Sequence, residues 1–105
     1  MYRVKMHLSD PNTKGESLIL FQVSGNGITP FEICSNISIA PKYWNSIESR
    51  IITKGNEIRA DKATILLNRY SLLCSTITAL ESAKREITLQ AVSSRLYWAN
   101  KSFNR

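Results

Sequence analysis

The residue types that most often carry chemistry are sparse in this chain. Its two cysteines, Cys34 and Cys74, and its single histidine, His7, lie far apart, and neither a CxxC nor an HxxxH spacing occurs. Such spacings are typical of zinc sites, and two cysteines are too few for a disulfide framework. We therefore expect free thiols in a reducing compartment and no bound metal or other cofactor.

Patterns typical of a catalytic site are missing as well. The sequence contains no Ser-His-Asp set, no pair of carboxylates at a useful spacing and no glycine-rich phosphate loop. We therefore expect that this chain is not an enzyme by itself and that it has no small-molecule substrate.

Basic side chains supply the remaining chemistry. The 105 residues include 14 Lys and Arg against 8 Asp and Glu, for a formal net charge of +6. Such a balance is typical of proteins that bind polyanions. The charge is uneven, because residues 1 to 58 carry 6 basic and 5 acidic side chains whereas residues 59 to 105 carry 8 and 3.

The basic side chains nearest the N-terminus alternate with apolar ones. Arg3, Lys5 and His7 occupy every second position of residues 2 to 8. Alternation with period two is typical of a half-buried strand, whose successive side chains point to opposite faces. We expect these three side chains on the exposed face of a first strand, with Val4 among those on the buried face.

Two further segments continue the sheet. Residues 17 to 24 and 31 to 39 also alternate, and turn-forming residues separate the three segments. Pro41 lacks the N–H needed for a ladder and so ends the last strand. A small sheet must bury one face, so a three-stranded antiparallel sheet needs a covering helix.

Helical spacing begins near residue 58. Apolar side chains then recur every three or four positions, which predicts one long helix packed on the sheet. This predicted stripe comprises Ala63, Leu66, Leu67, Tyr70, Leu73, Cys74, Ile77 and Leu80. Thr88 is a suitable N-cap for a short second helix. Its own apolar stripe comprises Leu89, Val92, Leu96, Ala99 and Phe103. That stripe either folds back onto the long helix or begins a further domain.

The predicted fold class is therefore α+β, with a three-stranded antiparallel sheet packed against one long helix and followed by a short C-terminal helix. The length of the chain suits one core. Charges interrupt the first eight residues, where a signal peptide needs an apolar run, and no run is long enough to span a membrane. We expect a cytoplasmic protein without a membrane partner.

The order of these features resembles the N-terminal arm-type DNA-binding domain of tyrosine recombinases, the integrases of conjugative transposons and prophages. The most specific match is the run Ile39-Ala40-Pro41-Lys42-Tyr43-Trp44-Asn45 followed by Arg50-Ile51, supported by Leu67-Asn68 in the helix. The resemblance covers about residues 2 to 85. It implies an arm-type domain over residues 1 to 86, with residues 87 to 105 forming a short helix that is a tail or the start of a core-binding domain.

The resemblance also implies a function and a binding surface. The sheet would enter the major groove of double-stranded DNA at arm-type sites and read its sequence, as one module of an enzyme for DNA integration and recombination. Other recombinase subunits are the further partners that it implies. Carried onto this sequence, the groove-facing residues are Arg3, Lys5, His7, Gln22, Asn36 and Ser38. The phosphate-binding residues in the loops are Lys14, Lys42 and Lys54.

Other interpretations remain open. The basic positions of the first strand also suit a solvated surface with no ligand. A double-stranded RNA-binding module uses a related sheet-and-helix plan but reads shape across minor grooves. A protein-interaction module would use Leu18, Leu20 and the C-terminal apolar stripe.

Overall fold

A computed structural model describes residues 1 to 99, which adopt an α+β fold. A three-stranded antiparallel sheet in the order β1-β2-β3 is followed by a small two-stranded hairpin and two helices, which confirms the predicted fold class. The elements are β1 (Tyr2–Leu8), β2 (Ser17–Gly25), β3 (Ile28–Ile39), a 3-10 turn (Pro41–Tyr43), β4 (Trp44–Asn45), β5 (Arg50–Ile51), α1 (Glu57–Ser82) and α2 (Leu89–Ser93).

The sheet buries one face, as its alternating sequence requires. Ile19, Phe21 and Val23 of β2 have no solvent-exposed surface. On β1, Val4 lies opposite Val23 and Met6 opposite Phe21, so the two strands direct their apolar side chains to the same side. We call this side the inner face of the sheet, and the opposite side its outer face.

A glycine is required where β2 turns into β3. A Cβ atom on Gly25 would lie 2.5 Å from the main-chain oxygen of Met1 and 2.9 Å from the Cα of Tyr2. Both neighbours are backbone atoms, which cannot give way as a flexible side chain can. The close approach of the chain start to the β2–β3 hairpin therefore excludes a larger residue here.

Helix α1 lies across the inner face. Asn56 caps its start, with the side-chain oxygen accepting a hydrogen bond from the main-chain N–H of Arg59 at 2.9 Å. Its buried residues are spaced by seven, four and three positions, which keeps them on one side of the helix, and they are Leu66, Leu73, Ile77 and Leu80. Among the described residues, no helix is both long enough and apolar enough to cross a membrane.

One residue of the predicted α1 stripe does not belong to the core. Leu67 is 60 % exposed, whereas its neighbour Leu66 is 2 % exposed. Successive helical residues are rotated by about 100° around the axis, so two adjacent leucines cannot both point at the sheet. Leu67 lies instead on the flank of α1, in a groove lined also by Met6 and Tyr70.

The segment between β3 and α1 forms a small hairpin rather than a loop. Trp44 pairs with Ile51, and Asn45 pairs with Arg50. Ile51 is buried, and the half-buried Trp44 packs against the core. The hairpin tip is exposed, with Ile47 at 93 %.

The C-terminal segment, residues 87 to 99, folds back onto the same core. Thr88 is the N-cap of α2, since its hydroxyl accepts a hydrogen bond from the N–H of Ala91. The buried side chains beyond it are Val92, Leu96, Trp98 and Ala99. The indole N–H of Trp98 donates to the carbonyl of Cys34 on β3 at 2.9 Å. Phe103 of the predicted stripe lies outside the described residues.

Tyr70 makes this core less stable at alkaline pH. Burial raises the pKa of the Tyr70 phenol, and the adjacent Cys74 thiol raises it further. The folded chain therefore holds the phenol proton more tightly than the unfolded chain, whose tyrosines titrate near pH 10. This contribution to stability is fully present below that pH and is lost as the pH rises through the folded pKa.

We expect the urea midpoint of the wild type to fall more steeply above about pH 10 than that of Tyr70→Phe. Tyr97 is 58 % exposed and provides the matched control, because Tyr97→Phe removes a phenol outside the core. This variant should keep the wild-type slope. Equal slopes for wild type and Tyr70→Phe would contradict the assignment.

Candidate nucleic-acid interface

The outer face of the sheet carries polar side chains in register across all three strands. Lys5 of β1 lies opposite Gln22 of β2, which lies opposite Glu32 of β3. Arg3 lies opposite Ser24, two pairs further along β1 and β2 and therefore on the same face. The antiparallel pairing thus places these residues on one surface, directed away from the helices.

Three of the residues expected at this surface are free to bind a ligand. The side chains of Arg3, Lys5 and Gln22 are exposed. Within residues 1 to 99, none of the three forms an ion pair or a side-chain hydrogen bond. Two cations and an amide therefore present unsatisfied donors on the outer face.

His7 lies on the same face and contacts Glu32, which is not among the candidate residues derived from the sequence. Its Nε2 lies 2.7 Å from Oε2 of Glu32. Because β1 and β3 flank β2, this contact arches over the central strand. Glu32 alternates with inward residues in the sequence, so its face was predictable. Its proximity to His7 was not, because it depends on the register of three strands.

Asn36, which is expected to face the groove, lies in an irregular part of β3. Two extra residues of β3 bulge out between the Leu20–Cys34 and Leu18–Ser38 pairs. Asn36 lies in this bulge with φ of +61°, a left-handed conformation that asparagine tolerates better than most residues. Its side-chain amide donates to the carbonyl of Trp98 at 3.0 Å, which ties the bulge to the C-terminal segment.

Ser38 also has an intramolecular partner. Its half-buried hydroxyl donates to Oε1 of Glu16 at 3.3 Å, at the end of the sheet where β2 begins. The same residue's carbonyl accepts a hydrogen bond from Lys62 on α1. Ser38 thus joins β3 to its neighbours, unlike the exposed donors near the start of β1.

The three loop lysines are exposed and lie towards one end of the sheet. Lys14 is in the β1–β2 turn, which Asn12 organises by accepting the N–H groups of Lys14 and Glu16. Lys42 is in the 3-10 turn after β3, and Lys54 is in the turn before α1.

Tyr43 connects the turns that carry Lys42 and Lys54. Its ring lies 5.2 Å from the Lys42 ammonium and 3.8 Å from the Arg59 guanidinium. Arg59 in turn donates to the main-chain carbonyls of Ile52 and Lys54. The two lysines therefore extend from turns that are fixed relative to each other.

Several cations in the second half of the chain are engaged in the fold itself. Lys62 and Arg69 of α1 donate to the carbonyls of Ser38 and Ser35, on either side of the β3 bulge. The Arg69 guanidinium also lies 5.5 Å from the Trp98 ring centroid. A bulge leaves carbonyls outside the ladder, and these cations satisfy them.

The described residues do not form a metal site at this surface. Within the described residues, no three His, Cys, Asp or Glu side chains group in a way that could hold a metal ion. Cys34 and Cys74 are both half-buried free thiols.

No protein-family model matches this chain, and no curated protein or solved structure shows significant similarity to it.

Arg69 provides a test of the structural role of the helix cations. Arg69→Met keeps an unbranched apolar stem but removes the donor to Ser35 and the cation beside Trp98. We expect a loss of about 2 to 4 kcal/mol in the free energy of unfolding by urea, because a charged hydrogen bond and a cation–π contact are both lost.

Arg85→Met is the matched control for this experiment. Arg85 is exposed just beyond α1, and its guanidinium has no hydrogen-bond or ion-pair partner in the described chain. We expect this variant to stay within about 0.5 kcal/mol of wild type. Similar losses for the two variants would show that Arg69 contributes only general charge.

Proposed function

We propose that this protein binds double-stranded DNA in a sequence-specific manner, with the outer face of its sheet in the major groove. The observation that carries the proposal is the group formed by Arg3, Lys5 and Gln22, three exposed side chains without partners in the described structure. All three are hydrogen-bond donors, and the major groove presents base acceptors in a pattern that distinguishes the base pairs.

The dimensions of the sheet suit this groove. Neighbouring strands lie about 4.8 Å apart, so β1 and β3 are separated by about 10 Å. The major groove of B-form DNA is about 12 Å wide and accepts β-ribbons. Because the helices cover only the inner face, the outer face can approach the bases without rearrangement of the fold.

The loop lysines complete the proposed interface. In this proposal, Lys14, Lys42 and Lys54 bind phosphates at one end of the sheet, while the strand residues contact base edges. Phosphate contacts of this kind set position and orientation, whereas base contacts give specificity. The proposed mechanism is thus the positioning of the protein on DNA, without a catalytic step by these residues.

Together with the order of sequence features, this interface supports a role as the arm-type module of a site-specific tyrosine recombinase in DNA integration. Its partners would be duplex DNA and other recombinase subunits, in a reducing cytoplasm that keeps both cysteines free. RNA is a poorer fit for the sheet, because the major groove of A-form duplexes is deep and narrow.

The protein-interaction alternative has lost part of its basis. It relied on the C-terminal apolar stripe, but Val92, Leu96 and Ala99 are buried in the core. Its other residues are Leu18, which is 42 % exposed, and Leu20, which is half-buried on the same face of β2. A small apolar area of this kind is common on protein surfaces.

A double substitution in β1 tests the proposal. Arg3→Gln combined with Lys5→Gln should weaken binding to labelled duplexes selected from a random pool by about tenfold or more, because it removes two donors to base edges. The measurement is a fluorescence-anisotropy titration, with an RNA duplex as competitor. RNA should compete poorly.

Lys84→Gln combined with Arg85→Gln is the control, since it removes the same charge just beyond α1. Its affinity should fall much less, because neither residue belongs to the sheet and the variant removes only general attraction to phosphates, which salt screens. Equal weakening by the two double variants would place the binding surface elsewhere, and equal competition by RNA would favour the RNA-binding alternative.

The loop lysines give a separate prediction. Replacing Lys14, Lys42 and Lys54 by glutamine should reduce the slope of log affinity against log salt by about 2 to 3, since each phosphate contact contributes about 0.9. The preferred base sequence should stay the same. An unchanged slope would exclude these lysines as phosphate contacts.

A further inference from the structure

A carboxylate stands in the middle of the surface proposed to meet a polyanion. Glu32 is the only acidic residue in β1, β2 and β3, and its side chain is 46 % exposed on the outer face. A negative charge here opposes binding to phosphates. Its placement beside Lys5 and Gln22 therefore calls for an explanation beyond general attraction to DNA.

The chemistry of base edges explains why a carboxylate is useful at this position. In the major groove, guanine presents only acceptors and thymine presents an acceptor beside a methyl group, so both repel a carboxylate. Adenine offers an amino donor, but its N7 acceptor lies beside that donor. Cytosine offers the N4 amino donor with no adjacent acceptor on its own edge. A carboxylate in this groove therefore favours cytosine and disfavours the other bases.

The contact with His7 fixes the carboxylate in place. Nε2 of His7 lies 2.7 Å from Oε2 of Glu32 and reaches it across β2. The second oxygen, Oε1, has no hydrogen-bond or ion-pair partner among residues 1 to 99. One oxygen is thus held by the protein, and the other is left as an acceptor for a ligand.

We propose that Glu32 is a specificity-determining residue that accepts a hydrogen bond from the N4 amino group of a cytosine, with His7 as its positioning residue. This inference rests on the proposed DNA-binding function. The register places Glu32 in one row with Lys5 and Gln22. The row thus combines a donor for guanine, an amide for adenine and an acceptor for cytosine, which are three different base preferences.

The test is selection of duplexes from a random pool by wild type and by Glu32→Gln, followed by sequencing of the bound DNA. Wild type should require cytosine at one position of its site. Glu32→Gln should lose that preference by on the order of tenfold or more, because a neutral amide both donates and accepts. Its affinity for unselected duplex should not fall, since the variant carries one negative charge fewer.

Two further variants make the result specific. Glu86→Gln removes the same charge from an exposed position between α1 and α2, and should leave the cytosine preference intact. His7→Ala should weaken the preference at the same position and at no other. A merely structural role of His7 would instead lower affinity for all sequences together.

The outcomes separate this inference from the function on which it rests. Failure of wild type to retain any duplex would overturn both. Retention with a base preference that Glu32→Gln leaves unchanged would overturn the role of Glu32 alone. A uniform rise in affinity for all sequences in Glu32→Gln would do the same, because Glu32 would then act only as a repulsive charge.

Discussion

The packing of Phe21 between two other aromatic rings determines which face of the sheet is covered. Its ring centroid lies 6.2 Å from that of Tyr70 on α1 and 6.3 Å from that of Trp98 in the C-terminal segment. Both neighbours therefore pack on the inner face of the central strand. Aromatic side chains bury more apolar surface than any others, so this cluster outweighs alternatives that would place a helix on the outer face. Arg3 and Lys5 are exposed because they lie on the face that the helices do not cover.

The β3 bulge decides which cations remain available for a ligand. It leaves the carbonyls of Ser35 and Ser38 facing α1, where Arg69 and Lys62 satisfy them. These two basic side chains of the second half of the chain are therefore engaged in stabilising the fold, although that half contains most of the excess positive charge. The nearly neutral first half carries the exposed side chains proposed to contact DNA.

Local patterns in the sequence predict β1, β2, β3 and the two helices, but neither the β4–β5 hairpin nor the contacts between elements. The alternation from residues 2 to 8 corresponds to β1, and Thr88 caps α2 as expected. These features depend on neighbouring residues only. The position of Asn36 depends on a bulge in which two β3 residues have no partners on β2, and no local pattern specifies such an insertion. The same holds for the bond from Trp98 to Cys34, which joins residues 64 positions apart.

The difference between local patterns and contacts between strands matters most for Glu32. Its outward orientation follows from alternation alone, yet its relation to His7 and Gln22 appears only when all three strands are in register. Sequence reasoning favoured basic residues as candidates because DNA is a polyanion. A surface that discriminates between bases, however, also needs groups that penalise the wrong ones.

On the proposed function, the balance of charge at this interface favours selectivity over affinity. Two strand cations and three loop lysines oppose one carboxylate, so few phosphates can be neutralised by a single copy. Non-specific binding with so few contacts is weak, with dissociation constants of about 10⁻⁴ to 10⁻⁶ M at physiological salt. Linkage to a second DNA-binding module raises the effective concentration of the first to about the millimolar range. A weak but selective sheet is therefore well suited to act as one part of a multi-site DNA-binding protein, where the linked contacts supply the affinity that it lacks.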